Sequence, residues 1–140
     1  MRKPLLVSLL AGALALGATP VPARTIVVAS NVAWTDTGMR VTRGQSLRFE
    51  SAGEIRLSFN GSDTAGPAGA PSGRTSEKAP VPSFVLGALI GRINNGKPFA
   101  IGDAPKAIQM PVDGTLFLGV NDDYPADNSG NLVVKVWTVS

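Results

Sequence analysis

The chain has 140 residues, room for one domain, and at 44% hydrophobic and 16% charged it can pack a core and is not wholesale disordered. Its 13 basic and 10 acidic residues give a formal charge of +3, and it has neither Cys nor His. Those two absences exclude disulfides, thiolate catalysis, Cys- or His-held transition metals and every Ser-His or Cys-His nucleophile.

In chain order, Met1-Arg2-Lys3 precedes an apolar stretch from Leu5 to Ala18, and Val21-Pro22-Ala23 offers small residues of the kind a signal peptidase reads. The stretch is about 14 residues, short of the roughly 20 that a spanning helix needs. No Cys follows it to carry a lipid anchor. Residues 1–23 are thus expected to be a signal peptide and 24–140 an exported single domain, periplasmic or extracellular. Without Arg2 and Lys3 the 13 basic residues become 11 against 10 acidic, about +1. Arg40, Arg43, Arg48 and Arg56 alternate with apolar residues, which is the outward face of strands rather than a nucleic-acid stripe.

The 16 Gly and 11 Pro argue against a helical bundle and for short strands joined by turns. Expected strands are 25–29, 39–42, 46–50 and 54–59, with Arg43-Gly44-Gln45 as a turn and Gly53 as a break. Residues 60–82 form a long Gly/Pro/Ser/Ala loop, longer than a compact domain usually leaves unstructured. Residues 84–91 are apolar on both faces, as in a strand at the centre of a sandwich. Segments 98–102, 107–110, 115–120 and 131–139 complete eight or nine strands. This is the pattern of an all-β fold, a small jelly-roll-like β-sandwich.

A second loop carries Asp122, Asp123 and Asp127, with Asn121, Asn128 and Asn131 beside them, and Gly130 allows the chain to return. If it folds back on itself, like charges converge. They repel by about 1 kcal/mol at contact even in water, and a hard cation reverses that sign. Ca²⁺ takes six to eight oxygens from Asp, Asn, carbonyls and water, and this loop offers only such ligands. Its spacing is not that of an EF-hand, and a solvated acidic hairpin tip is the plain alternative. Asp122 and Asp123 are adjacent, so on a strand they point oppositely, a poor geometry for a catalytic acid and base. Asp36-Thr37-Gly38, with Leu89-Ile90-Gly91-Arg92, matches elements of dimeric retroviral-type aspartic proteases. The residues flanking the triplet do not suit that role, and it also reads as a turn. Trp34 and Trp137 read as packing residues before sugar platforms.

Taken together, Trp34-Thr35-Asp36-Thr37-Gly38, Val41-x-x-Gly44, Gly66-Pro67-x-Gly69, Gly87 to Ile93, Pro98-Phe99-x-Ile101-Gly102, Gly114-x-Leu116-x-Leu118, Asn121-Asp122 and Asn128-Ser129-Gly130 resemble, in order and spacing, the PA-IL-like bacterial galactose-binding lectins. The resemblance spans nearly all of 24–140. It implies a jelly-roll sandwich holding one Ca²⁺ through which sugar hydroxyls bind. On that resemblance Asp122 is the carboxylate ligand, Asn128 the last amide ligand and Asp127 stands where the family has Asn. A loop carbonyl, placed at Ala126, and the Phe59 carbonyl complete the cage, with Asp122, Asp123 and Asp127 facing the sugar. The family's galactose-contacting His and Gln have no counterpart here, where Ser72, Arg74, Thr75, Glu77 and Lys78 stand instead. The expected partner is therefore galactose-like or another diol-bearing sugar, with a homo-oligomer possible. The alternative is a non-catalytic sandwich that binds a protein or envelope component.

Overall fold

The computed structural model describes residues 22–103 and 105–139, so residues 1–21 of the expected signal peptide lie outside the described residues. Nine strands follow in order: β1 Arg24–Ala29, β2 Thr35–Val41, β3 Ser46–Arg56, β4 Thr64–Ala65, β5 Leu89–Ile93, β6 Phe99–Ala100, β7 Ile108–Gln109, β8 Gly114–Val120 and β9 Ser129–Val139. They form two antiparallel sheets. One runs β1-β9-β3-β4, with β7 also on β3; the other runs β2-β8-β5-β6. The expected all-β sandwich is the observed architecture.

Period-two alternation decides which side chains meet between the sheets. From the first sheet come Val28, Leu47, Ile55, Leu132, Val134 and Val136, and from the second Met39, Leu89, Ile93, Leu116 and Leu118, all at 2% exposure or less. The residues between them point out: Glu50 lies opposite Lys135 and Arg48 opposite Trp137 on the outer face of the first sheet.

Several strand boundaries differ from expectation: β2 already begins at Thr35, β3 ends at Arg56, and two further differences have a clear cause. Gly53 does not break the chain: β3 runs eleven residues in unbroken register with β9, from Ser46 opposite Val139 to Arg56 opposite Ser129. Gly53 (φ 116°) and Gly130 (φ 88°) sit on facing strands. A Cβ on the first would lie 2.7 Å from the Asn131 carbonyl, and on the second 2.8 Å from the Glu54 carbonyl. These glycines let the two backbones close on each other, so here Gly marks a close approach rather than an end. The apolar run 84–91 is a strand only from Leu89. Residues 84–88 turn instead, Ala88 donating to Val85 O (3.2 Å) and Gly87 at φ 86° donating to Asn121 O (2.8 Å).

The long segment after Asn60 is tied down. It contributes β4, and further on Ala70 donates to Leu86 O, Leu86 to Arg74 O and Leu89 to Pro67 O, at 2.8 to 2.9 Å. Among the described residues no helix is long and apolar enough to cross a membrane.

Candidate cation and ligand site

The second sheet delivers the acidic loop through β8, whose last residue, Val120, is still core. Asn121 is fully buried, and its amide is completely used: Oδ1 accepts the Val81 N–H (2.9 Å), while Nδ2 donates to the carbonyls of Val81, Phe84 and Val85 (3.0–3.1 Å). One side chain thus docks the 81–87 segment onto the root of the acidic loop.

Asp122 then bends the backbone, its Oδ1 accepting the Tyr124 N–H at 3.2 Å. Pro125–Asp127 make one turn of 3-10 helix, closed by Asn128 N–H to Pro125 O (2.9 Å). Pro at the start suits this turn, since it has no N–H to leave unpaired. Asn128 is 6% exposed, and its Nδ2 donates to Ser30 O (3.0 Å). Ser30, fully buried, returns Oγ to Gly130 O at 2.7 Å. The loop is therefore pinned from both sides, by Asn121 at its start and by Ser30 at its end.

What the pinning leaves is a set of acceptors without donors. Asp122 Oδ2, Asp127 Oδ1 and Asn128 Oδ1 are each buried with no hydrogen-bond partner. A native structure holds few such groups, because each costs about 1–3 kcal/mol unmade. Three in seven consecutive residues, all oxygens and none a donor, fit the chemistry of a hard cation. The carboxyl of Asp122 is pushed above the usual 3.8 of an aspartate, chiefly by burial, with the Tyr124 N–H and the Asn128 amide pulling it down and neighbouring Asp123 pushing it up.

The expected gathering of three carboxylates does not occur: among the described residues no three acidic side chains share a point. Asp123 follows Asp122 directly and is exposed, and unneutralised carboxylates repel. The buried acceptors without donors belong to two Asp and one Asn, namely Asp122, Asp127 and Asn128. Ala126 is the exposed middle residue of the 3-10 turn. Phe59 lies in the turn after β3, closed by Leu57 N–H to Asp63 O (2.7 Å), at the end of the sandwich where β9 begins. Its ring is 92% exposed, and Tyr124 is 62% exposed. Arg74 pairs with Asp63 at 2.6 Å, tying the long loop to the Phe59 turn, whereas Ser72, Thr75, Glu77 and Lys78 face solvent.

Asp36 takes a local role. It lies on β2 rather than in a hairpin corner, at a bulge between Asp36 and Arg40, and its Oδ1 accepts the Gly38 N–H (2.8 Å). Thr37 is buried and donates to Leu116 O (2.7 Å). Trp34 packs: it is half-buried under the Arg92 guanidinium, 4.5 Å from its centroid.

Ser30 escaped the sequence reading altogether, and Asn121 was legible as a polar residue beside the carboxylates and as part of the Asn121-Asp122 pair, but not as the clamp on residues 81–87. Ser30 and Gly130 are 100 residues apart, and no local pattern links them.

No known family model matches the chain, and no curated protein does. Among solved structures, one described as "EclA N-terminal domain; PllA-like lectin" aligns with a TM-score of 0.65 at 23% identity, covering 82% of this chain and 95% of that one. At that identity the likeness is one of fold: this chain has the β-sandwich of that lectin domain.

Proposed function

We propose that this chain is an exported, calcium-dependent carbohydrate-binding protein of the PA-IL-like lectin type. The reading rests on one observation, the three buried acceptor oxygens of Asp122, Asp127 and Asn128 without hydrogen-bond donors. The likeness to a lectin domain over 82% of the chain supports it. These three residues would hold the cation, with the carbonyls of Ala126 and Phe59 as further donors. When bound, Ca²⁺ supplies positive charge and open coordination positions for a sugar diol.

The chain's own residues supply the rest. Asp122 divides its labour, Oδ1 holding the Tyr124 N–H and Oδ2 left for the cation. Asp123, exposed beside it, and the remaining oxygen of Asp127 accept sugar hydroxyl protons in charge-assisted bonds, roughly twice the strength of neutral ones. Phe59 and Tyr124 offer aromatic surface at the same end of the sandwich for the apolar face of a ring. Without the family's His and Gln, the sugar is galactose-like or another with a vicinal diol.

Calorimetry of Ca²⁺ binding to wild type and to Asp122→Ala, followed by a glycan array with Ca²⁺ and with chelator, tests this. Uptake of about one ion by wild type only, with chelator-sensitive glycan binding, is expected. Equal uptake by the variant, or array signals indifferent to chelator, would overturn the assignment.

A further inference from the structure

The outer face of the first sheet carries a second polar cleft, away from the acidic loop. It has a volume of about 450 Å³ and is lined by Arg48, Glu50, Ser51, Asp103, Lys135 and Trp137 among others. That volume lies within the range of small-ligand sites, roughly 300–1,000 Å³.

Its origin is topological. On the side of β3 away from β9, β7 pairs only with Ser46 and Leu47 and β4 only with Ile55 and Arg56. Between them, residues 48–54 have no strand partner on that side. Asp103 and Pro105 line the cleft beside this stretch, and the Arg48 guanidinium donates to the Pro105 carbonyl. The cleft lies between these two residues and side chains of β3 and β9.

Register places its chemistry. Arg48 lies opposite Trp137 and Glu50 opposite Lys135, so an indole, two cations and a carboxylate share one face. The indole is half-buried, with the Lys135 ammonium over the ring, 5.7 Å from its centroid. Among the described residues the only ion pair is Arg74 with Asp63, so none of Arg48, Glu50, Asp103 and Lys135 is engaged in one. At the cleft's edge the Ser51 hydroxyl is buried without a hydrogen-bond partner. Donors and acceptors balance here, two cations against two carboxylates. That balance suits a neutral molecule presenting many hydroxyls along with one apolar face. A phosphate or a polyanion would instead meet Glu50 and Asp103.

We propose that this cleft is a second saccharide site, taking a neutral hexopyranose without any metal ion. Trp137 receives the apolar face of the ring, Glu50 and Asp103 accept hydroxyl protons, and Arg48 and Lys135 donate to ring and hydroxyl oxygens. The site is independent of the acidic loop, so one chain binds sugar at two places with different requirements.

The test is nuclear magnetic resonance of the ¹⁵N-labelled protein in excess chelator, titrated with methyl glycosides of galactose, glucose and mannose. A saturable shift of the Trp137 indole and of the amides at 48–51 and 133–137 is expected for at least one glycoside. A dissociation constant of about 1 mM is expected, as for a small exposed site. Asp122→Ala should leave these shifts intact. Trp137→Ala should abolish them, and Arg48→Ala should weaken them at least tenfold while the rest of the spectrum stays folded. The proposal is overturned if folded wild type shows no saturable shift at Trp137 with any of the three sugars. Shifts that persist unchanged in Arg48→Ala, or that need Ca²⁺, overturn it equally. Failure here leaves the calcium reading standing, and loss of calcium binding leaves this cleft untouched.

Discussion

Asp122 shows how one residue's burial sets both a cost and an affinity. Burial raises its carboxyl above 3.8, so between 3.8 and the raised value the folded protein binds more protons than the unfolded chain. The sign follows: metal-free protein gains stability as pH is lowered through that window, and carries the full penalty of the charge above it. Asp122→Asn keeps an oxygen for the Tyr124 N–H and removes the charge. In chelator it should melt no lower than wild type at neutral pH, and its melting point should change less from neutral pH to about pH 4. A steeper pH dependence in the variant would refute this. On the proposed calcium reading the order should reverse with Ca²⁺ present, because the variant would no longer hold the ion. Wild-type ion uptake should also fall off at a pH above that of an ordinary aspartate, as a calorimetric pH series would show.

Elements, rather than single residues, decide where the loops stand. The 81–87 segment has no pattern of its own, and one Asn at the end of β8 secures it through four hydrogen bonds. Asn121→Ala strands the Val81 N–H and the Phe84 carbonyl, while Val81 O and Val85 O keep the N–H groups of Phe84 and Ala88, so a loss of about 2–4 kcal/mol in urea unfolding is expected, with faster proteolysis between residues 70 and 86. Unchanged proteolysis would show that other contacts hold the loop. The pairing of β3 with β9 depends likewise on two glycines. Gly53→Ala and Gly130→Ala each force a Cβ against the opposite backbone at positive φ, and each should cost about 2 kcal/mol or more. Gly130 also roots the acidic loop through Ser30, so its substitution should weaken ion binding as well, whereas Gly53→Ala should affect stability chiefly.

At the scale of the whole molecule, the proposed ion would be linked to the fold. Oxygens that lack donors in the folded state are assembled from Asp122 and Asp127–Asn128 only when β8, β9 and the Ser30 turn are in place. An ion bound there stabilises by mass action, about 2.7 kcal/mol at a hundredfold excess over its dissociation constant. For a domain of this size that is roughly 10 °C in melting temperature. Wild type should show this rise with Ca²⁺ and lose it with chelator, and Asp122→Ala should show neither. By contrast Leu132→Ala, in the core between the sheets, should lose about 2–5 kcal/mol with or without the ion.

Alternation of apolar and polar residues, a local property, was enough to read the all-β sandwich, most strand positions and the acidic loop as the place where oxygens collect. The residues on which the proposed ion depends were legible there too, since Asp122, Asp127 and Asn128 lie within seven positions. Strand limits at Gly53 and Leu89 were not, because a glycine that ends a strand and one that admits a neighbouring backbone look alike in one dimension. Nor was the clamp from Ser30, nor the outer cleft beside Trp137. Each of these depends on which backbone stands opposite, and that is fixed by pairing across a hundred residues of chain rather than by neighbours in sequence.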